Sequence, residues 1–371
     1  MGRQGADEGA LTLAGRALHL DVPLLSAILL VAGSGLGVLY TAAGGDAAVV
    51  GRQVLRLGVG LVVMLALAQV PVHYLRLWAP WFFAAVLASL LAVLVMGEVG
   101  QGAQRWLDLG LFRFQPSELM KLAMPMALAW YLAEQRLPPR AGQAAVGLGL
   151  VFVPAGLIAV QPDLGTALLV AAAGIFVIFL AGISWRLIAA LLALAAGSTP
   201  ILWHLMHTYQ RERVLSFLDP DSDPLGSGYH IIQSEIAIGS GGLYGKGWLN
   251  GTQAQLDFLP ERATDFIFAV YGEEFGLLGA LALLSAYAVL VFRGLAIAAR
   301  ARETFARLLA GSLSLTFFVY LFVNIGMVTG LLPVVGVPLP LVSYGGTSMV
   351  TLMAGFGMLM AIHSHRKLLV R

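Results

Sequence analysis

Cysteine is absent from the 371 residues, which excludes disulfides and thiolate metal sites while leaving the redox compartment open. Charge is scarce too. Asp, Glu, Lys and Arg together make up 11% of the chain, against about 25% in an ordinary soluble domain. A water-facing surface cannot be assembled from so few charges. The net charge of +2 and the lack of any long basic tract exclude nucleic acid as a partner. There is no Walker loop, no His-Glu-x-x-His and no Gly-x-Ser-x-Gly, so the common nucleotide, zinc-protease and serine-hydrolase chemistries are missing. No internal repeat, low-complexity tract or cleavable signal peptide stands out.

What remains is hydrophobic, 59% of the chain, and it is arranged in runs. A spanning helix needs about 20 mostly apolar residues. Such runs lie near 22–40, 53–71, 78–96, 116–132, 144–160, 164–181, 184–203, 265–292, 305–330 and 345–363. The sequence thus predicts an all-α polytopic membrane protein of about ten transmembrane helices, a single domain over 1–371. Residues 1–20 form a short polar tail, and Gln161-Pro162-Asp163-Leu164-Gly165 is a turn between two spans. An even number of spans puts both termini on one side. Arg293, Arg300, Arg302 and Arg307 in one short loop, with the arginines of both tails, make that side cytoplasmic. The one long loop, 204–263, is then extracytoplasmic, with Tyr229–Ile236 reading as a short amphipathic helix at the interface. The segment 330–345, with Pro333, Pro338 and Pro340, is irregular yet apolar, which membrane depth tolerates only under a cover of protein.

Ionisable groups within or at the ends of spans are costly in lipid and therefore informative. Nearly all fall on the outer side. In Gln115-Pro116-Ser117-Glu118-Leu119-Met120-Lys121, proline and glutamate suit a first helical turn, and Glu118 and Lys121 share a face three residues apart. They read either as a structural ion pair or as a cavity cation that binds a phosphate. In Thr264-Asp265-Phe266-Ile267-Phe268, Asp265 either answers the helix dipole with Thr264 as cap, or is a partly desolvated carboxylate able to act as a base or hold a divalent cation. Arg105 and Trp106 suit lipid headgroups and the interface, and equally a saccharide site. Arg52, Arg56, Arg211, Arg213, Lys246 and Arg262 add outward positive charge with the same two readings.

At these motifs the chain resembles the SEDS family (shape, elongation, division and sporulation), and its elongation branch more than its division branch. The resemblance is carried by Gly102–Asp108 (GAQRWLD), Gln115–Glu118 (QPSE), Gln161–Thr166 (QPDLGT), Gly251–Arg262 (GTQAQLDFLPER), Thr264–Phe268 (TDFIF) and Pro340–Ser348 (PLVSYGGTS), in the expected order. Residue 263 is Ala where His is common, and residue 254 is Ala where Ser is common. The resemblance implies a ten-helix peptidoglycan glycosyltransferase of the bacterial cytoplasmic (inner) membrane. It would join lipid II units during cell elongation, alongside a class B penicillin-binding protein and other elongation-complex proteins. It places the family's essential aspartate on Asp265 and its cavity pair on Glu118 and Lys121.

The chemistry so implied is inverting transfer. The hydroxyl of one lipid-linked disaccharide attacks the anomeric carbon of another, with undecaprenyl pyrophosphate departing. Asp265 would be the base or a metal ligand. Lys121, Arg105 and Arg213 would face the pyrophosphate, with Glu118 orienting Lys121 and with Trp106 and Arg262 as further substrate-binding candidates. A divalent cation (Mg²⁺ or Mn²⁺) would assist, and no nucleotide is needed. From the residues alone a lipid II flippase or other transporter fits as well, as does a scaffold that only recruits the crosslinking enzyme.

Overall fold

The computed structural model describes residues 19–100, 103–108, 113–183, 185, 188–190, 193, 196–197, 200, 203–204, 208–219, 227–256, 258–259 and 261–365. The expected tail up to residue 18, most of the expected span 184–203, and Gly102, Asp257 and Pro260 of the motifs lie outside the described residues.

The elements are α1 (Val22–Ala42), α2 (Ala47–Ala68), α3 (Val72–Met96), strands β1 (Glu98–Gly100), β2 (Ala103–Asp108) and β3 (Arg113–Phe114), α4 (Pro116–Ala133), α5 (Ala141–Val160), α6 (Leu164–Leu180), α7 (Thr208–Leu218), α8 (Ser227–Gly241), α9 (Thr252–Gln255), α10 (Ile267–Arg300), α11 (Thr304–Val328) and α12 (Thr347–His365). Seven of these helices, α1, α2, α3, α5, α10, α11 and α12, are long and apolar enough to cross a membrane. The expected spans 116–132 and 164–181 coincide with α4 and α6, of 18 and 17 residues. Large apolar side chains face outward along these helices, among them Leu55 at 70% and Val95 at 83% exposure. A water-soluble surface does not tolerate that pattern, and lipid does. The protein is a multi-pass membrane protein.

Local sequence sets the helix starts. Asp21 accepts the Leu24 N–H at 3.0 Å, Asp46 that of Ala48 at 2.8 Å and Asp163 that of Thr166 at 3.2 Å, each occupying a backbone donor that a helix N-terminus leaves unpaired. Pro116 opens α4 with Glu118 in its first turn. Between α3 and α4 the chain forms a small antiparallel sheet, ordered β1-β2-β3, with Glu98 opposite Trp106 and Leu107 opposite Phe114. At one end of the bundle, Asp21 before α1, Arg293 of α10 and His363 of α12 meet. Asp265 lies at the opposite end of α10.

Two features differ from the sequence expectation. The helix expected near 229–236 runs from Ser227 to Gly241, and Ile231, Ser234 and Ala237 are buried in it. The Ser234 hydroxyl donates to the Val328 carbonyl at 2.7 Å, so α8 packs on protein at the end of α11 rather than only lying in the interface. The eighth expected span is broken at Gly276 (φ 64°, ψ −164°). Into this break runs the segment 242–247. Lys246 and Gly247 N–H groups donate to the Glu273 and Glu274 carbonyls, both at 3.0 Å, and Leu277 and Leu278 N–H groups donate to Gly242 and Leu243 at 2.9 and 3.1 Å. The irregular backbone is thereby satisfied within the protein. Residues 267–274 are buried throughout. The stretch of α10 after the break, 277–300, is by itself long enough to span at about 1.5 Å per residue.

Candidate active site

Asp265 lies in the turn 261–266, ahead of α10 rather than within its first turn. Its reading as a dipole-answering residue behind a Thr264 cap is therefore corrected. The residue at the cap position is Phe266, and the Thr264 hydroxyl is turned back onto Glu261, 2.7 Å from its carboxylate. The turn closes through the Thr264 and Phe266 N–H groups, both donating to the Glu261 carbonyl, at 3.0 and 3.3 Å.

Three successive carbonyls of this turn are held by the chain around 324–344. Tyr344 N–H donates to Ala263 at 2.8 Å, the Ser343 hydroxyl to Thr264 at 2.6 Å, and Asn324 Nδ2 to Asp265 at 2.9 Å. The same Asn324 nitrogen donates to the Val337 carbonyl at 2.7 Å. Asn324 is fully buried in an apolar helix, so its amide is a strong and specific tether. The Asp265 backbone is thus fixed while its carboxylate, half-buried, lies beside Gly336. Burial pushes the Asp265 carboxyl up to about 6, with Glu261 pushing the same way and Arg213 opposing. Asp265, Glu261 and Arg213 are therefore electrostatic neighbours.

The second group sits on α4 and α11. Lys121 Nζ is 2.6 Å from Glu118, donates to the Tyr320 hydroxyl and lies 4.8 Å from the centre of its ring. The Tyr320 hydroxyl is also bonded to Ser348. Glu118 and Lys121 are both buried, and one Glu118 oxygen has no partner. These residues head a narrow cavity that continues along α11 and α12 past Phe317, Thr351 and Leu359. The expected ion pair thus exists and borders this cavity. Tyr320 and Asn324 are one turn apart on α11 and share its face, which joins the Lys121 group to the Asp265 turn.

The other candidates act at longer reach. Arg105 donates to the carbonyls of Gln161 (3.3 Å) and Pro162, fastening β2 to the α5–α6 turn. That turn meets the Asp265 region through Gly165, which packs on Val335 and Val337. Arg262 donates to the Ala254 carbonyl and approaches Gly44. Trp106 is half-buried in β2, opposite Glu98. Arg213 acts on Asp265 through its charge, α11 links the Lys121 and Glu118 group to the Asp265 turn through Tyr320 and Asn324, and Arg105 and Arg262 make fastening contacts to backbone carbonyls. Sequence reasoning missed Asn324, Tyr320 and Ser343. The signal for Asn324 was present, a lone amide in the apolar run Phe317–Val328.

Fold and site together define a multi-pass helical membrane protein that gathers a half-buried carboxylate and several cations at one end of its bundle. The chain belongs to the FtsW/RodA/SpoVE family, described as cell cycle protein, which it matches over residues 18–368. It is 55% identical over 353 residues to the peptidoglycan glycosyltransferase MrdB of Escherichia coli K12, covering 95% of each chain. It is 36% identical over 322 residues to stage V sporulation protein E of Bacillus subtilis, covering 85% of this chain and 87% of that one. Among solved structures, a chain from a peptidoglycan synthase complex coordinating polymerization and crosslinking superposes with a TM-score of 0.82 at 34% identity, covering 94% of this chain and 98% of that one. The rod shape determining protein RodA of Thermus thermophilus superposes with a TM-score of 0.71 at 31% identity, covering 94% and 97%.

Proposed function

We propose that this protein is a peptidoglycan glycosyltransferase that polymerises lipid II on the outer face of the bacterial cytoplasmic membrane during cell elongation. One observation carries the reading: the half-buried carboxylate of Asp265 stands on a turn whose three successive carbonyls are tethered by Tyr344, Ser343 and Asn324, with Arg213 as the opposing charge. A sugar hydroxyl is a poor nucleophile, and a positioned base that accepts its proton typically gives about 10²–10⁴-fold. Asp265 is that base. The departing pyrophosphate gains charge as the glycosidic bond breaks, and Arg213 and Lys121 offset it, with Glu118 and Tyr320 orienting Lys121. Arg105 and Arg262 brace the surrounding loops through backbone carbonyls, with Trp106 on β2 beside Arg105.

A divalent cation, Mg²⁺ or Mn²⁺, would depend on the substrate for most of its ligands, since among the described residues no three carboxylates or imidazoles gather. Asp265 and Glu261 put two carboxylates on one turn, and magnesium sites commonly take one or two carboxylates plus substrate phosphates. The ion would neutralise pyrophosphate charge. No nucleotide is needed, since the substrate's own pyrophosphate supplies the leaving group.

The single domain sits with both termini in the cytoplasm. The end that carries Asp21, Arg293 and His363 also carries Arg300, Arg302 and Arg307, in keeping with the positive-inside rule. Its partners are lipid II, membrane lipid, a class B penicillin-binding protein and other elongation-complex proteins. The test is polymerisation of lipid II by purified protein in detergent, where nothing has to cross a membrane. Asp265→Asn and Asp265→Ala are expected to lose at least about a hundredfold in rate while staying folded. Normal polymer from either variant removes the base, and absence of polymer from wild type favours a transporter or scaffold.

A further inference from the structure

Joining two lipid-linked sugars brings two pyrophosphates to one site, and only one of them leaves. The Lys121 and Arg213 groups can serve the one that departs. A second set of cations lies on α2, against the Tyr344 segment that bonds to the Asp265 turn. Arg56 sits nine residues into that helix, about 13 Å along it, a depth at which an arginine is expensive in lipid. Its guanidinium stacks on Tyr344, 4.3 Å from the ring centre, and lies against Gly346. One of its terminal nitrogens, Nη1, is buried without any partner. Arg52, one turn earlier, donates to the Tyr344 hydroxyl at 3.3 Å. A buried guanidinium nitrogen left unpaired at this depth calls for an anion.

Two further observations mark the same spot. Gly345 and Gly346 are outside the positive-φ residues. A methyl group on Gly345 would meet nothing within 4 Å, and one on Gly346 only the Arg56 guanidinium, at 3.6 Å. Neither backbone strain nor protein packing requires glycine there, so the space they leave open is outside the fold's own needs. Gly346 also stands at the cap position of α12, a 19-residue helix, and has no side chain of its own to accept the first N–H groups. Gln53 holds this loop in place, donating to the Ser343 carbonyl at 3.1 Å and accepting from Gly345 N–H at 3.3 Å. Tyr344 ties it to the Asp265 turn through the bond to Ala263.

The geometry points to a second pyrophosphate seat, formed by Arg56, Arg52 and the backbone N–H groups that open α12, which holds the lipid-linked substrate whose pyrophosphate does not leave. It rests on the polymerase reading above and adds to it the simultaneous grip on two substrates. Because that pyrophosphate undergoes no change in charge, the seat contributes uniform binding, visible in KM and not in kcat. Its guanidinium fork matches phosphate oxygens in a way an ammonium does not.

The test uses purified full-length protein titrated with undecaprenyl pyrophosphate and, separately, assayed on lipid II. Arg56→Gln is expected to weaken binding roughly ten- to hundredfold and to raise KM by a similar factor, as loss of a charge-assisted bond does, with kcat largely kept. Arg56→Lys should recover only part of the loss. Gly346→Ala should melt like wild type yet bind more weakly, and it decides the matter if Arg56→Gln fails to fold. Binding and KM unchanged in both Arg56→Gln and Gly346→Ala overturn the seat and leave the polymerase reading intact. A wild type that binds the pyrophosphate through Arg56 but makes no polymer overturns the polymerase reading and leaves the seat. Phosphatidylglycerol competing with equal affinity assigns Arg56 to ordinary headgroups and overturns the proposal.

Discussion

Asp265 and Asn324 divide the chemistry at the residue scale, one supplying the carboxylate and the other fixing where it stands. Because the Asp265 carboxyl is pushed up to about 6, it is protonated and idle as a base in mild acid and ionised at neutral pH. The logarithm of kcat/KM for lipid II should therefore rise about one unit per pH unit below 6 and level off above it. Asp265→Glu, if active at all, should move that break, while a profile flat from pH 5 to 8 would detach the rate from this group. Asn324→Ala removes the tether to both the Asp265 and Val337 carbonyls. The buried acceptors it leaves cost about 1–3 kcal/mol, readable as a lower melting temperature. The loosened base should lower kcat by about tenfold or more with a smaller change in KM. A loss confined to stability would make Asn324 purely structural.

At the scale of elements, the break in α10 shows what apolar pattern reveals and what it hides. Seven of the ten expected spans match helices long and apolar enough to cross, because lipid forces long apolar runs, and the helix starts at Leu164 and Pro116 were legible because proline, aspartate and glutamate mark helix ends. The interruption at Gly276 was not legible. Glu273-Glu274, directly ahead of Phe275-Gly276-Leu277, interrupt the apolar run without showing a break, and only the partner segment 242–247, thirty residues away, makes the positive-φ backbone there favourable. The pair Glu273–Lys246 supports the same joint: Glu273 is fully buried, with Lys246 Nζ 2.7 Å away and the Thr252 N–H donating to it at 2.8 Å. Gly276→Ala places a side chain in a region of φ and ψ that is essentially glycine's alone and drives a methyl into the backbone of residues 243–245. It should cost about 3 kcal/mol or more, seen as loss of folded protein in detergent. Wild-type yield and melting from that variant would mean the joint is more yielding than its packing indicates.

Across the whole molecule, the position of the site at one end of the bundle was legible and its internal wiring was not. Ionisable residues at span ends stand out against 59% apolar sequence, whereas Asn324, Ser343 and Tyr344 meet Asp265 only because α11 and the 330–346 segment fold back over it. The opposite end is closed by Asp21, whose carboxylate is 2.7 Å from Arg293 and 3.3 Å from His363, joining α1, α10 and α12. Burial works to raise the Asp21 carboxyl, but the bonds from Arg293 and the Leu24 N–H, with the charges of His363 and Arg293, outweigh it and hold the group below its ordinary 3.8. A carboxyl depressed in the folded state contributes stability in full above its unfolded value, and loses it as pH falls through the folded one. Asp21→Asn should therefore melt lower than wild type at pH 7 by an amount equivalent to about 3 kcal/mol, the scale for breaking a buried pair. The gap between the two proteins should narrow only once the pH falls below about 4. Because this latch is remote from Asp265, kcat for the folded fraction should be unchanged. A gap that persists undiminished into strong acid would show that the loss comes from packing around the substituted amide rather than from the ion pair that draws the three helices together.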